Sequence, residues 1–158
     1  VILQGGSSEP LTQESQKEFS FYAKKHIESI KANNSRAALY MTHAFVEPHK
    51  DFEINQISVI QDVYTKVGEE NNVLVIPVGL AFDIAYKEHP DIKLHHNDGT
   101  HPNLKGTYLA ACTVFASIYG KSPIGLKYDY YGAINKNDKI LLQKIADKAT
   151  SVYFKNNN

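Results

Sequence analysis

Apolar residues are distributed along this chain in two alternating patterns, short unbroken runs and stripes spaced three or four residues apart. The runs are Val1-Ile2-Leu3, Ala37-Ala38-Leu39-Tyr40-Met41 and Val73-Leu74-Val75-Ile76-Pro77-Val78. Runs of this length suit strands that are covered on both faces. Between them, Phe19, Tyr22, Ala23, Ile27 and Ile30 mark one face of a helix that Asn33-Asn34-Ser35 ends. Phe52, Ile57, Ile60, Val63, Tyr64 and Val67 draw a second stripe, with Gly68 as its expected stop. A shorter helical piece from Ala81 to Lys87 follows the third run. Leu104, Tyr108, Ala111, Cys112, Phe115 and Ile118 form a further long stripe ending at Gly120, and Ile140, Leu141, Ile145, Ala149 and Val152 form the last, which frays at Asn156-Asn157-Asn158.

Strands alternating with helices predict βαβ units and an α/β fold, a three-layer flavodoxin-like parallel sheet with helices on both faces. At 158 residues the chain is expected to be one domain with room for a real core. Three strands are fewer than the ~5–6 usual in a sheet. An edge is therefore left for self-association, or for a preceding segment to complete. Val1 reads as the middle of a strand, so N-terminal truncation is part of the same expectation. Seventeen basic residues balance seventeen acidic ones, which gives no overall field for nucleic acid or an anionic membrane. No apolar run approaches the ~20 residues needed to span a bilayer. The single cysteine, Cys112, excludes an internal disulfide and a thiolate cage. Lying in a core stripe, it is expected to be inert.

The densest chemistry lies in His95-His96-Asn97-Asp98-Gly99-Thr100-His101-Pro102-Asn103, a turn-rich segment between two hydrophobic elements. A carboxylate that orients an imidazole, and an imidazole that takes a proton from a serine, are two thirds of a hydrolytic triad. Asp98 and His101 are the candidate pair. The same segment read blandly is a turn and a helix cap. His95 and His96 read as solvated or capping residues. A zinc site built from His95, His96, Asp98 and His101 is a third reading, weakened because adjacent histidines on an extended chain point apart. His43, in a strand-end loop, is a candidate for lining a substrate cleft, against the plainer reading of a surface loop histidine. His26, His49 and His89 read as structural, and Tyr128, Tyr130 and Tyr131 read first as packing and second as a surface for a sugar ring.

In an open parallel sheet, sites form at the carboxyl ends of the strands, where the loops 4–10, 42–50 and 95–103 are expected. With that layout, Asp98-Gly99-Thr100-His101-Pro102-Asn103 resembles the last block of the SGNH (GDSL-like) hydrolase superfamily, in which Asp and His are separated by two residues. Leu104-Lys105-Gly106-Thr107-Tyr108-Leu109-Ala110 and Tyr119-Gly120-Lys121-Ser122-Pro123 resemble the carbohydrate-esterase-like branch, as does Ile76-Pro77-Val78-Gly79. Gln4-Gly5-Gly6-Ser7-Ser8 is similar to the family's third block, which helps bind the oxyanion.

The resemblance spans roughly residues 1–155. It implies a serine esterase for small O-acyl esters, such as acetyl groups on carbohydrate, without cofactor or metal and secreted or periplasmic. Asp98 and His101 would be orienter and base, and Gln4, Gly5, Gly6, Ser8 and His43 would bind oxyanion or substrate. The family's nucleophilic Gly-Asp-Ser block is not seen, because the chain matches from the third strand onward. The serine would then lie outside this chain. A second alignment makes Ser8 itself the nucleophile, and a catalytically inactive binding module and a metal-dependent hydrolase remain as alternatives.

Overall fold

In a computed structural model, described for residues 1–157, the three apolar runs form β1 (Ile2–Gln4), β2 (Ala38–Tyr40) and β3 (Leu74–Ile76) of one parallel sheet ordered β1-β2-β3. The register sets Ile2 against Ala38 against Leu74, and Leu3 against Leu39 against Val75. Because side chains alternate between faces, β2 and β3 each feed two cores, whereas β1 gives Leu3 to one and leaves Ile2 and Gln4 exposed, against the expectation that its run is covered on both faces. Leu39, Met41 and Val75 pack with Phe19, Ala23, Ile27, Ile60 and Tyr64 of α1 (Gln13–Ala32) and α2 (Gln56–Asn71). Ala38 and Ile76 pack with α3 (Val78–Glu88), α4 (Leu104–Tyr119) and α5 (Lys136–Asn156) through Phe82, Leu109, Leu142 and Ile145. The fold is the expected α/β sheet covered on both faces.

Several boundaries differ from the pattern for identifiable reasons. The third run stops being strand at Ile76, and Val78 opens α3 instead, so that helix begins three residues before Ala81. Gly68 does not end α2, which runs to Asn71 and is closed by Asn72 in the left-handed region. A Cβ at Gly68 would lie 2.4 Å from Val75 Cγ2, so the glycine lets the helix rest directly on β3. Phe52 lies ahead of α2 and is exposed, and Tyr22 points to solvent from α1. His26 is also exposed, against its structural reading. Of the asparagine tail, Asn156 is helical, and Asn158 lies outside the described residues. The tyrosine run does not pack a helix onto the sheet; among the described aromatic rings its own meet only one another, edge to face at 6.0–6.4 Å between centroids. Tyr128, Tyr130 and Tyr131 are exposed, with Tyr131 at 92%.

Two end structures place the loops that matter. Asn103 caps α4, its Oδ1 accepting from the amides of Lys105 and Gly106, while its Nδ2 donates to the carbonyls of Lys93 and His95. The buried Gln56, in the first turn of α2, accepts from the Phe45 amide at 2.8 Å and donates to the Asp51 carbonyl at 2.9 Å. That glutamine holds the loop after β2 in place. No helix among the described residues is long and apolar enough to cross a membrane.

Candidate active site

The segment 94–103 is a narrow loop closed by main-chain bonds, from Asn103 N to Leu94 O and from His96 N to His101 O, each 2.8 Å. At its tip Gly99 adopts φ +72°, and its carbonyl accepts from Val46 N at 2.9 Å. The loop after β2 and the histidine loop are thereby joined. Inside the turn, one carboxylate has two tasks. Asp98 Oδ1 accepts from the amides of Thr100 and His101, both at 2.9 Å, and Oδ2 meets His101 Nδ1 at 2.8 Å. The bland reading of this motif as a turn and the chemical reading are both physically present in it.

These contacts determine the protonation of the pair. The two amide bonds and the His101 ring hold the Asp98 carboxyl far below the usual carboxylate range. An ionised carboxylate only accepts, so Nδ1 of His101 carries the proton. The neutral ring then turns an unprotonated Nε2 outward. The His101 side chain is 75% exposed, and no side chain among the described residues bonds that nitrogen.

Behind the turn lies a second group that the pattern of residues did not reveal. His43, expected to line a cleft or else to sit on a surface loop, and His95, expected to be solvated or capping, are buried at 7% and 8% exposure. Their rings meet edge to face, His95 Nε2 lying 3.0 Å from His43 Nδ1, and His95 Nδ1 lies 2.6 Å from the Tyr86 hydroxyl. Phe82 stacks on His43 at 4.6 Å between centroids. Burial first, and then the neighbouring His43, push the His95 imidazole down to about 4, with Asp98 opposing. Burial likewise lowers His43, with the Ala44 carbonyl opposing and the His101 charge adding to the fall. Both nitrogens of His95 are occupied by protein partners, which removes it as a zinc ligand. Among the described residues no group of three or more His, Cys, Asp or Glu is placed to hold a metal. His96 is exposed, as expected.

The remaining candidates sit at the carboxyl end of β1. Gln4, Gly6 and Ser8 are exposed, and the Gly5 amide donates to the Tyr64 hydroxyl at 3.3 Å. Ser8 heads the short 3-10 helix Glu9–Leu11, and no hydrogen bond joins it to His101 among the described residues. Asp98, His101 and His43 are thus gathered at one place, while the Gly5-Gly6 turn lies at the end of the far edge strand. Cys112 is buried, and burial raises its thiol to about 11, which leaves it protonated at neutral pH.

The parallel sheet with helices on both sides, with the Asp/His turn at its carboxyl end, is an α/β fold that solved structures share. A DUF4886 family protein from Bacteroides uniformis superposes with a TM-score of 0.81 at 19% identity, over 95% of this chain and 61% of its own. LAE5, an alpha/beta hydrolase enzyme from the metagenome of Lake Arreo, Spain, gives 0.55 at 23% identity, over 74% of this chain and 58% of its own. A protein assigned as a GDSL-like lipase from Parabacteroides merdae gives 0.51 at 16% identity, over 96% and 60%. At these identities the likeness establishes the α/β fold alone. The chain spans about three fifths of the length of these neighbours. No family model and no curated protein matches the sequence.

Proposed function

We propose that this chain carries the acid-base half of a serine esterase acting on small O-acyl esters, with acetylated carbohydrate as the substrate class. The observation that carries the reading is the 2.8 Å contact between Asp98 Oδ2 and His101 Nδ1. It fixes the ring in the form whose Nε2 can take a proton from a serine hydroxyl. Asp98 orients and His101 is the base. In this reading the nucleophilic serine is supplied from outside these 158 residues. The Gly6 amide, with Gln4 and Ser8, would face the oxyanion, the Gly5 amide being taken by the Tyr64 hydroxyl. The exposed rings of Tyr128, Tyr130 and Tyr131 support a carbohydrate substrate. Their loop is tied to α4, directly after the Asp/His turn, by a 2.9 Å bond from the Tyr108 hydroxyl to the Tyr128 carbonyl.

The test is hydrolysis of p-nitrophenyl acetate by the full-length protein that contains this chain, with and without a chelator. Removing a general base typically costs ~10²–10⁴-fold, so His101→Ala is expected to lose at least about 100-fold while chelator has no effect. Unchanged turnover in His101→Ala would refute the assignment. Inactivity of a full-length protein that contains an upstream serine block would assign the fold to a binding role instead.

A further inference from the structure

The chain of contacts through Tyr86, His95 and His43 has a direction. The Leu94 amide donates to the Tyr86 oxygen at 3.2 Å. An oxygen that already accepts still has its own proton to place, and donation is the role that places it. The acceptor in reach is His95 Nδ1, at 2.6 Å. A neutral His95 then carries its proton on Nε2, which faces His43 Nδ1 at 3.0 Å. His43 Nδ1 is therefore an acceptor, and the neutral ring holds its proton on Nε2. The alternative partner for His43 Nδ1, the Ala44 carbonyl, is 3.5 Å away, too long to compete. Burial keeps both rings uncharged at neutral pH.

Nε2 of His43 has no hydrogen-bond partner among the described residues. The buried side-chain atoms without a partner there are Thr42 Oγ1 and Ser117 Oγ, so this nitrogen is the part of the ring that reaches solvent. It lies at the carboxyl end of β2, in the loop whose Val46 amide is bonded to the Gly99 carbonyl of the Asp/His turn at 2.9 Å. The two imidazoles have opposite polarity, His101 presenting a lone pair and His43 presenting an N–H.

We propose that Tyr86 and His95 are positioning residues that lock His43 in its Nε2–H form, so that His43 offers a hydrogen-bond donor, and never a base, to the acyl oxygen of an ester held beside His101. The role toward an ester rests on the esterase reading above, whereas the locked tautomer does not. A donor fixed before substrate arrives stabilises developing negative charge without reorganising at the moment of reaction.

The experiment is nitrogen-15 NMR of the full chain labelled in histidine, at pH 7 and without substrate, with signals assigned through His43→Gln and His95→Gln. Long-range proton-nitrogen correlations distinguish the protonated from the unprotonated nitrogen of each ring. The expected result is a single tautomer for both His43 and His95, protonated on Nε2. In Tyr86→Phe, which removes the donor at the head of the chain, both rings are expected to become mixtures of tautomers. A wild-type His43 protonated on Nδ1 would overturn the proposal whether or not the variant folds, and so would a folded Tyr86→Phe in which His43 keeps its pure Nε2–H form. Absence of ester hydrolysis would remove the substrate role of His43 and leave the locked tautomer standing, so the two failures are told apart.

Discussion

Gly99→Ala is the substitution that most directly tests how the Asp/His turn is held. Gly99 is buried at φ +72°, in the left-handed region, and an added Cβ would stand 2.1 Å from the Val46 carbonyl oxygen and 2.9 Å from the His49 amide nitrogen. The conformational cost for an L-residue there is ~1–2 kcal/mol. Neither neighbour is a side chain that can rotate away, so forcing the backbones apart adds overpacking of ~1–3 kcal/mol. The sum is a destabilisation of about 2–5 kcal/mol. With a denaturant slope of about 2 kcal/mol per M, typical of urea for a small protein, the urea midpoint is expected to fall by about 1–2.5 M. Gly120→Ala is the control, since Gly120 is also left-handed at φ +60° but an added Cβ meets nothing within 4 Å. It carries only the conformational part, ~1–2 kcal/mol. If the two variants unfold at the same urea concentration, the close approach of the two loops at Gly99 does not constrain the turn and the reasoning is wrong.

Two further expectations follow from the same loops. His95 is held at about 4 against an ordinary value of 6.5, so between those pH values the unfolded chain binds a proton that the folded chain does not. Stability is therefore unaffected above pH 6.5 and falls as the pH drops toward 4. The loss is about 3 kcal/mol from His95 at 1.36 kcal/mol per pH unit, and His43, shifted the same way, adds to it. Urea unfolding at pH 7 and pH 4.5 checks this, with His95→Gln expected to flatten the difference and an equally steep loss in that variant counting against it. Asn103→Ala removes the cap of α4 and strips a donor from the carbonyls of Lys93 and His95, for an expected cost of about 1–3 kcal/mol in denaturant unfolding. Asn103→Asp keeps the cap and loses the donor, and is expected to fall between the two.

The elements that were legible in the sequence are those whose signal is local. The runs at Leu39 and Val75 are apolar on both faces because each strand feeds two cores, and the α4 stripe is bounded by Asn103 and Gly120, its cap and its stop. The Asp98/His101 contact was legible because it spans three residues within one turn. His43 and His95 were not, because their burial depends on each other across 52 positions of sequence. A loop histidine carries no local mark of a partner that far away. Gly68 misled because a glycine that ends a helix and one that lets a helix touch a strand look alike until Val75 is seen beneath it. The tyrosines at 128, 130 and 131 misled in the opposite direction. Aromatic residues usually pack, but two consecutive left-handed residues, Tyr130 and Tyr131, turn this loop outward.

Gln56 carries a mechanical implication. It is wedged under the loop that follows β2, that loop's Val46 amide grips Gly99, and Gly99 adjoins Asp98. A helix on one side of the sheet is thus coupled in series to a turn whose own helix, α4, packs on the other. Repacking around Ile60, buried in the core beneath α2, therefore has a route to the His101 imidazole that bypasses α4 altogether.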